Sequence, residues 1–306
     1  MKKLFLIFLV SLFTISLNAN EIGGDLQDML IKAGDEDYIS VVVHLKDQVD
    51  ARMLSEDLRG VGNTRSEIHK QVIDTLTDRA ASTQVELKDV LARHQLKSDV
   101  ERYTSFWIFN GFTVTAKKAV IYEIAARDDV ELVRAELKFF IPENEFANQP
   151  VRGVRAEVKD YGVKLINADD MWAEGYDGTG LIIANMDTGV NYYHKDLKDK
   201  WLGNSKPNSQ CWFDPWEGST IPKDGGVDTW QHGSHTMGSI VGEDVSGGIK
   251  YGVAPGAKWI AVRMFNTSGS ASEENTIKCF QWLADPDGNS STSDDVPDIL
   301  NNSWGA

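Results

Sequence analysis

Two segments of the sequence carry residue types that could pass a proton between them. The apolar run from 181 to 186 ends in Asp187, and small residues dominate the segment from 233 to 239 that follows His232. A carboxylate that accepts the Nδ1 proton of an imidazole fixes its tautomer and stabilises the imidazolium that forms. Asp187 and His232 therefore suit the roles of orienting carboxylate and general base, acting on a nucleophile.

The elements predicted around these two residues would bring them to one edge of a sheet. Branched residues before Asp187 predict a buried parallel strand over 181–187, and Gly189 permits a sharp exit from it. The pattern then predicts a helix from 232, a strand over 258–264, a helix over 272–284 and a strand over 297–303. This alternation predicts an α/β fold with a parallel sheet and crossover helices, in which sites form at the carboxyl ends of strands.

Neither motif is specific by itself. An Asp-Thr-Gly triplet also forms the loop of aspartic proteases, and a single Asp at a strand end more often closes a turn or caps a helix. The order and separation of Asp187-Thr-Gly-Val and His232-Gly-Ser-His, followed by the segment 252–257, resemble the subtilisin-like serine proteases. The segments 167–172, 175–180 and 194–197 resemble the same family, and the sequence of these motifs is most similar to that of its bacillopeptidase F-like members.

The resemblance implies an Asp-His-Ser triad and a site for an extended polypeptide substrate. Asp187 would orient His232, which would act as the base. The segment 267–270 is similar to the edge segment that pairs with substrate backbone in this family, and the segment 301–305 is similar to the second flanking strand. The substrate-binding residues that the resemblance implies are Ser268, Gly269, Ser270, Ser303, Trp304 and Gly305.

The third member of the triad has no counterpart in these 306 residues. No segment resembles the Gly-Thr-Ser-Met-Ala nucleophile motif, and none resembles the Asn-bearing oxyanion segment of the family. The serines that are present lie in segments to which another structural role is assigned, and none has the glycine flanks of an exposed nucleophile elbow. We therefore expect the chain as written not to hydrolyse peptides by the triad route.

Residues 1–19 predict a secretory signal peptide. Lys2 and Lys3 precede an unbroken apolar run from Leu4 to Leu17, which is too short for a comfortable membrane span, and cleavage is expected after Ala19. The mature protein is predicted to be secreted or periplasmic and to have no membrane contact once the signal is removed.

Residues 20–145 predict a separate α+β domain. A strand over 38–45, a long helical stretch to about Arg93, a strand pair, a helix over 117–127 and a strand over 130–134 give the order of a ferredoxin-like sandwich. The segments 109–112 and 129–133 resemble the inhibitor-type propeptide of subtilisin-like enzymes. The resemblance implies an intramolecular inhibitor whose carboxyl-terminal tail covers the substrate cleft. Residues 146–160 are then the linker and processing region, and residues 161–306 the amino-terminal half of a catalytic domain.

Charge and residue types narrow the partners and cofactors. Without the signal peptide, 29 basic and 46 acidic residues leave a net charge of −17, which disfavours nucleic acid as a partner. His232 and His235 have the spacing of a metal pair, but their Gly and Ser context suits the triad better, so no metal site is predicted. No cofactor is required. Calcium is left open, because Asp196 resembles a calcium-holding position of some relatives.

Two functions follow from these observations. The first is a secreted serine endopeptidase precursor whose nucleophile is absent from these residues. The second is a non-catalytic fragment that acts as a propeptide-type protease inhibitor or binder. Cys211 and Cys279 could pair in an oxidising compartment, and the sequence does not decide whether they do.

Overall fold

The computed structural model describes residues 22–141, 161–225 and 231–305. The predicted signal peptide and the predicted linker at 146–160 lie outside these ranges. We refer to residues 22–141 as the N-terminal part and to residues 161–305 as the C-terminal part. Each part contains its own cluster of buried hydrophobic side chains.

The N-terminal part is built around an antiparallel sheet. Its elements are α1 (Gly24–Lys32), β1 (Tyr38–Leu45), α2 (Ala51–Gly60), α3 (Arg65–Thr83), α4 (Val85–Leu96), β2 (Val100–Phe106), β3 (Gly111–Lys117), α5 (Lys118–Ala125), β4 (Val130–Ala135) and β5 (Lys138–Phe140). The four main strands lie in the order β2-β3-β1-β4, and each adjacent pair is antiparallel. The strand bounds agree closely with the sequence pattern, because alternating apolar residues must face one core.

The long helical stretch of this part is three helices instead of one. The break between α2 and α3 lies at 61–64, where Gly62 has a φ of +89° that few other residues adopt. The side chain of Thr64 then caps α3 in a reciprocal capping box with Glu67. The helices α3 and α4 meet at Gln84, which donates from its buried side chain to the carbonyl of Phe106. The turn at 61–64 and the junction at Gln84 therefore divide the stretch, and the hydrophobic periodicity predicts neither of them.

The C-terminal part is organised by a parallel sheet. Its elements are α6 (Tyr161–Leu165), α7 (Ala168–Ala173), β6 (Ile182–Asp187), β7 (Trp212–Phe213), α8 (His232–Val241), β8 (Glu243–Asp244), β9 (Ile249–Lys250), β10 (Lys258–Arg263), β11 (Ser270–Ser272), α9 (Glu273–Ala284) and β12 (Ile299–Asn301). The order β12-β6-β10-β7 is parallel at every pairing, which confirms the predicted α/β parallel sheet.

One strand is shorter than its sequence pattern indicates. The pattern predicts a strand over 297–303, whereas β12 covers only Ile299–Asn301. Beyond it the backbone leaves the parallel sheet, and Gly305 forms an antiparallel bridge with Phe140 of β5. Tertiary pairing with a segment far away in the sequence therefore ends the strand early.

The core of the C-terminal part accounts for the apolar character of its strands. Residues of β10 are buried almost throughout, as expected for a central parallel strand that is covered on both faces. Cys211 and Cys279 both lie in this core and are not bonded to each other. Among the described residues, no helix is both long and apolar enough to cross a membrane.

Candidate active site

The parallel sheet and helix α8 bring Asp187 and His232 into direct contact. Asp187 is the last residue of β6 and is fully buried, and His232 is the first residue of α8. The Nδ1 atom of His232 lies 2.7 Å from Oδ1 and 2.9 Å from Oδ2 of Asp187. An ionised carboxylate only accepts hydrogen bonds, so Nδ1 carries the proton. The Nε2 atom on the opposite side of the ring is left with the lone pair of a general base.

Close backbone packing makes this contact possible. Gly189 has a φ of +104°, and a Cβ there would lie 2.0 Å from the carbonyl oxygen of Lys223. A Cβ on Gly233 would lie 2.0 Å from the carbonyl oxygen of Gly189. Both glycines are therefore required for the turn after β6 to touch the first turn of α8.

The surroundings favour the protonated form of His232. The hydrogen bond to Asp187 raises the pKa of His232 above its ordinary value, and burial opposes this effect. The negative charges of Asp187 and Asp224 raise it further. The carboxylate thus holds the ring in the orientation that suits proton transfer and stabilises the imidazolium that forms when Nε2 accepts a proton.

Asp224 joins the two elements that carry the pair. Its Oδ1 accepts from the hydroxyl of Thr188 at 2.6 Å, and its Oδ2 accepts from the backbone N–H of Ser234 at 2.8 Å. The Thr188 hydroxyl in turn accepts from the backbone N–H of Gly233 at 2.9 Å. The carboxylate thereby binds the amino-terminal end of α8, where backbone N–H groups lack helical partners and negative charge is favoured. Burial raises the pKa of Asp224.

A second network holds Asp187 from the helix side. Thr236 lies one helical turn after His232, and its hydroxyl donates to Oδ2 of Asp187 at 3.1 Å. The buried side chain of Asn185 donates to the Thr236 hydroxyl and accepts from Asn301 at 2.8 Å. The side chain of Asn301 is therefore engaged in supporting the sheet edge.

A strand of the N-terminal part lies beside this pair. β5 pairs antiparallel with β11, with Phe140 opposite Ser270 and Phe139 opposite Ala271. The backbone N–H of Ile141 donates to the carbonyl of Gly269 at 3.1 Å. On its other side, Phe140 bridges Gly305. Residues 138–141 thus occupy a cleft between two segments of the C-terminal part.

The Phe139 side chain enters an aromatic pocket in this cleft. Its ring contacts Trp304 edge to face, with ring centroids 5.4 Å apart, and Trp304 contacts Phe265 in the same way at 6.2 Å. The indole N–H of Trp304 donates to the carbonyl of Met186 at 2.9 Å, which fixes the pocket wall to β6. The cleft therefore binds an extended chain by backbone pairing and one bulky side chain.

The six residues that the resemblance implied for substrate binding divide into two groups. Gly269, Ser270, Trp304 and Gly305 contact β5 or the residue after it. Ser268 instead bonds back to the side chain of Asn266 in its own loop. Ser303 accepts from the side chain of Asn301. These last two shape the cleft without bonding to β5.

Sequence reasoning missed several residues that build the site. They are Asn185, Thr188, Asp224, Thr236, Asn266 and Ala271. The spacing of Thr236, four positions after His232, places both on one helix face and was a usable signal. Asp224 had no such signal, because its position depends on how an irregular segment returns to the turn after β6.

The residues considered for metal binding do not form a cluster. Across residues 22–141, 161–225 and 231–305, no group of three or more His, Cys, Asp or Glu is arranged to hold a metal ion. His235 is exposed one turn along α8, and Asp196 accepts from the hydroxyl of Tyr251 at 2.7 Å. Calcium stays a prediction from the sequence.

Comparison with known proteins agrees with this geometry. Residues 178–306 match the family model described as Subtilase family. The chain is 32% identical over 251 residues to Bacillopeptidase F of Bacillus subtilis (strain 168), covering 76% of the chain and 17% of that protein. It is 30% identical over 175 residues to Minor extracellular protease Vpr of the same organism, covering 56% of the chain and 21% of that protein. It is 31% identical over 127 residues to Subtilisin DY of Bacillus licheniformis, covering 42% of the chain and 41% of that protein.

The chain spans less than half the length of each of these three relatives. The matched segment of the family model includes β6, α8, β10, β11 and β12, the elements that carry the pair and the cleft. The resemblance drawn from the sequence motifs is confirmed. The chain belongs to the subtilase family of subtilisin-like serine peptidases.

Proposed function

We propose that these residues belong to a secreted serine endopeptidase precursor that cleaves peptide bonds by an Asp-His-Ser triad. The observation that carries the proposal is the pairing of His232 with the buried Asp187 next to a cleft that holds extended backbone. The fold alone would not support this reading, because one fold hosts many functions. The proposal rests on the arrangement of the site.

In this mechanism Asp187 holds the ring of His232 and stabilises the imidazolium that forms. His232 removes the proton from a serine hydroxyl through Nε2 and later returns it to the leaving amine. The serine and the oxyanion Asn have no counterpart in these 306 residues. We therefore propose that the chain as written is inactive towards peptides.

The N-terminal part acts in this proposal as an inhibitor-type propeptide with a ferredoxin-like fold. Support comes from the β2-β3-β1-β4 order and from the tail 138–141, which lies in the cleft as an extended substrate would. The sheet also packs on α9, where the backbone N–H groups of Trp107 and Ile108 donate to the side chain of Gln281. The intramolecular partner thus excludes a polypeptide substrate from the same place.

The proposed compartment is outside the cytoplasm. It rests on the signal-like residues 1–19 and on relatives such as Minor extracellular protease Vpr. Residues 146–160 would be the processing region, since they join the tail in the cleft to the C-terminal part.

The test is to express the natural gene product, with any coding sequence that follows codon 306, and to measure casein hydrolysis. We expect His232→Ala to reduce kcat/KM by about 10⁴-fold or more, and a serine-directed phosphonate to abolish turnover. Lys195→Ala, on the exposed loop beyond Asp187, is the matched control and should retain activity. Turnover that survives His232→Ala refutes the triad assignment.

The alternative is a non-catalytic inhibitor or binder. The tail already seated in the cleft favours it, because the same contacts could be made to a related protease. Titration of a subtilisin-type enzyme with the chain distinguishes the two readings. No inhibition at micromolar excess removes the alternative.

A further inference from the structure

Besides the cleft and the packing of its sheet on α9, the N-terminal part contacts the C-terminal part at a further place. Helix α3 contacts the segment 284–298, which connects α9 to β12. Arg65 donates to the carbonyl of Val296 at 3.0 Å and pairs with the carboxylate of Asp298. The hydroxyl of Ser290 donates to Asp74 at 2.6 Å. A cavity of about 370 Å³ next to this contact is lined by residues of α2, of α3 and of the segment 296–298.

His69 sits at the centre of this contact. Its Nε2 lies 2.9 Å from the carbonyl oxygen of Ala284, and its Nδ1 lies 3.2 Å from the carbonyl oxygen of Ser290. Carbonyl oxygens only accept hydrogen bonds, and a neutral imidazole has a single N–H. Both bonds therefore form together only when the ring carries its second proton.

The carboxyl-terminal end of a helix and two acidic side chains lie near the ring. Ala284 is the last residue of α9, so its carbonyl lies at the negative end of the helix dipole. The hydrogen bond from Lys70 lowers the pKa of Asp74, whereas burial raises the pKa of Asp285, and His69 makes a smaller lowering contribution to both. The charged groups around the ring are Arg59 of α2, which lines the same cavity, Arg65, Lys70 and Asp74 of α3, and Asp285, Asp287 and Asp298 of the facing segment.

This contact is independent of the cleft. The residues that pair with β5 or with Ile141 lie at 269–272 and 305, and the ring of Phe139 contacts Trp304, so the residues of the two contacts differ. Helix α3 and the acidic segment 285–298 contribute no residue to the Asp187–His232 pair or to the cleft described above. Their contact with each other gives both a role.

We propose that α3 and the segment 284–298 form a second anchor that retains the N-terminal part when its tail leaves the cleft, and that the anchor is strongest when His69 is protonated. The proposal rests on the proposed inhibitory role of the N-terminal part. A polypeptide that displaces residues 138–141 does not compete for the anchor. Release of the inhibitor then requires loss of the anchor and of the contacts with α9 as well as of the cleft contact, and a rise in pH weakens the anchor.

The experiment uses the full chain with a site-specific protease recognition sequence placed within residues 150–156. After cleavage, the dissociation rate of the two parts is measured by size exclusion and by a fluorophore on the N-terminal part. We expect the double variant Arg65→Ala with His69→Ala to dissociate at least tenfold faster than the wild-type chain. Arg52→Ala is the matched control, since this side chain is 80% exposed on α2 and pairs with Glu56 of the same helix.

The pH dependence tests the role of the second proton. The wild-type parts should separate more slowly at pH 5 than at pH 8, and His69→Gln should remove most of that difference. Equal wild-type rates at the two pH values overturn the role given to the proton. The anchor proposal is refuted if the wild-type parts separate at once after cleavage. It is also refuted if the anchor variants dissociate at the wild-type rate.

Further variants separate this proposal from the inhibitory role. If Phe139→Ala accelerates dissociation and the anchor variants do not, the cleft contact stands and the anchor fails. If only the anchor variants accelerate it, the anchor stands and the proposed role of the tail fails. Melting temperatures within about 3 °C of wild type confirm that the variants fold.

Discussion

A substitution of Glu273 is the most direct test of the contact between β5 and the cleft. It is 7% exposed at the first position of α9, and it binds the guanidinium of Arg134 from β4 with bonds of 2.8 and 2.5 Å. The backbone N–H of Leu137 also donates to it at 2.8 Å. The substitution Glu273→Gln keeps the size of the side chain, but removes its charge and one of its two acceptor oxygens.

The expected cost follows from the burial of the two partners. Breaking a buried ion pair by changing one member costs about 3–5 kcal/mol, and a lost hydrogen bond to a charged group about 1.5–3 kcal/mol. The side chain of Arg134 is 28% exposed, so water recovers part of this loss. We therefore expect β5 to open from β11 more easily by about 2 kcal/mol.

Amide hydrogen exchange of β5 and of Ile141 measures this opening directly. A loss of about 2 kcal/mol corresponds to exchange that is roughly thirtyfold faster, because each 1.4 kcal/mol is a factor of ten. The amides of β1, in the centre of the other sheet, should keep their rates. Glu131→Gln, at an exposed position of β4, is the matched control. Acceleration below about threefold in Glu273→Gln would refute the view that this ion pair holds the tail in the cleft.

Three further outcomes are expected. Asp187→Asn should lower the pKa of His232 in an NMR titration, because the hydrogen bond to the carboxylate is the main cause that raises it. A raised pKa in the folded state stabilises the fold at low pH, and this contribution is lost as the pH rises through the folded-state pKa. The stability difference between the wild type and Asp187→Asn should therefore shrink with rising pH. Gly233→Ala should destabilise the chain by about 1–3 kcal/mol in urea unfolding, since the added Cβ meets the carbonyl of Gly189; an unchanged midpoint would contradict the close packing. Phe139→Ala should accelerate exchange at β5 without changing the pKa of His232, because it empties the aromatic pocket and leaves the pair intact.

Much of the site was predictable because its signals are local. The burial of residues 182–186 and the placement of Asp187 at the end of β6 follow from a run of branched apolar residues. The start of α8 at His232 follows from the glycines and small residues behind it. Element bounds in the N-terminal part were within one or two residues of the pattern for β1, α5 and β4, where apolar periodicity is regular.

Other features depended on contacts between distant parts of the chain. The length of β12 is set by the bridge between Gly305 and Phe140. The division of the long helical stretch is set by the local signals at Gly62 and Thr64, which apolar periodicity does not report. The free state of the two buried cysteines is likewise a matter of where the core places them. Periodicity reports which face of an element is buried, but it does not report what lies against that face.

The sequence by itself determined the chemistry-bearing pair, the alternation that builds the parallel sheet and the family, because each depends on residues close together in the chain. Only the tertiary structure decided that residues 138–141 lie between Gly269 and Gly305, that Asp224 joins the turn after β6 to α8, and that His69 faces two carbonyls of the segment 284–298. Hydrogen bonds and ion pairs between distant segments leave no periodic trace, since any polar residue at the right point in space can make them. Their partners are chosen by the packing of distant segments, which is a property of the folded chain as a whole.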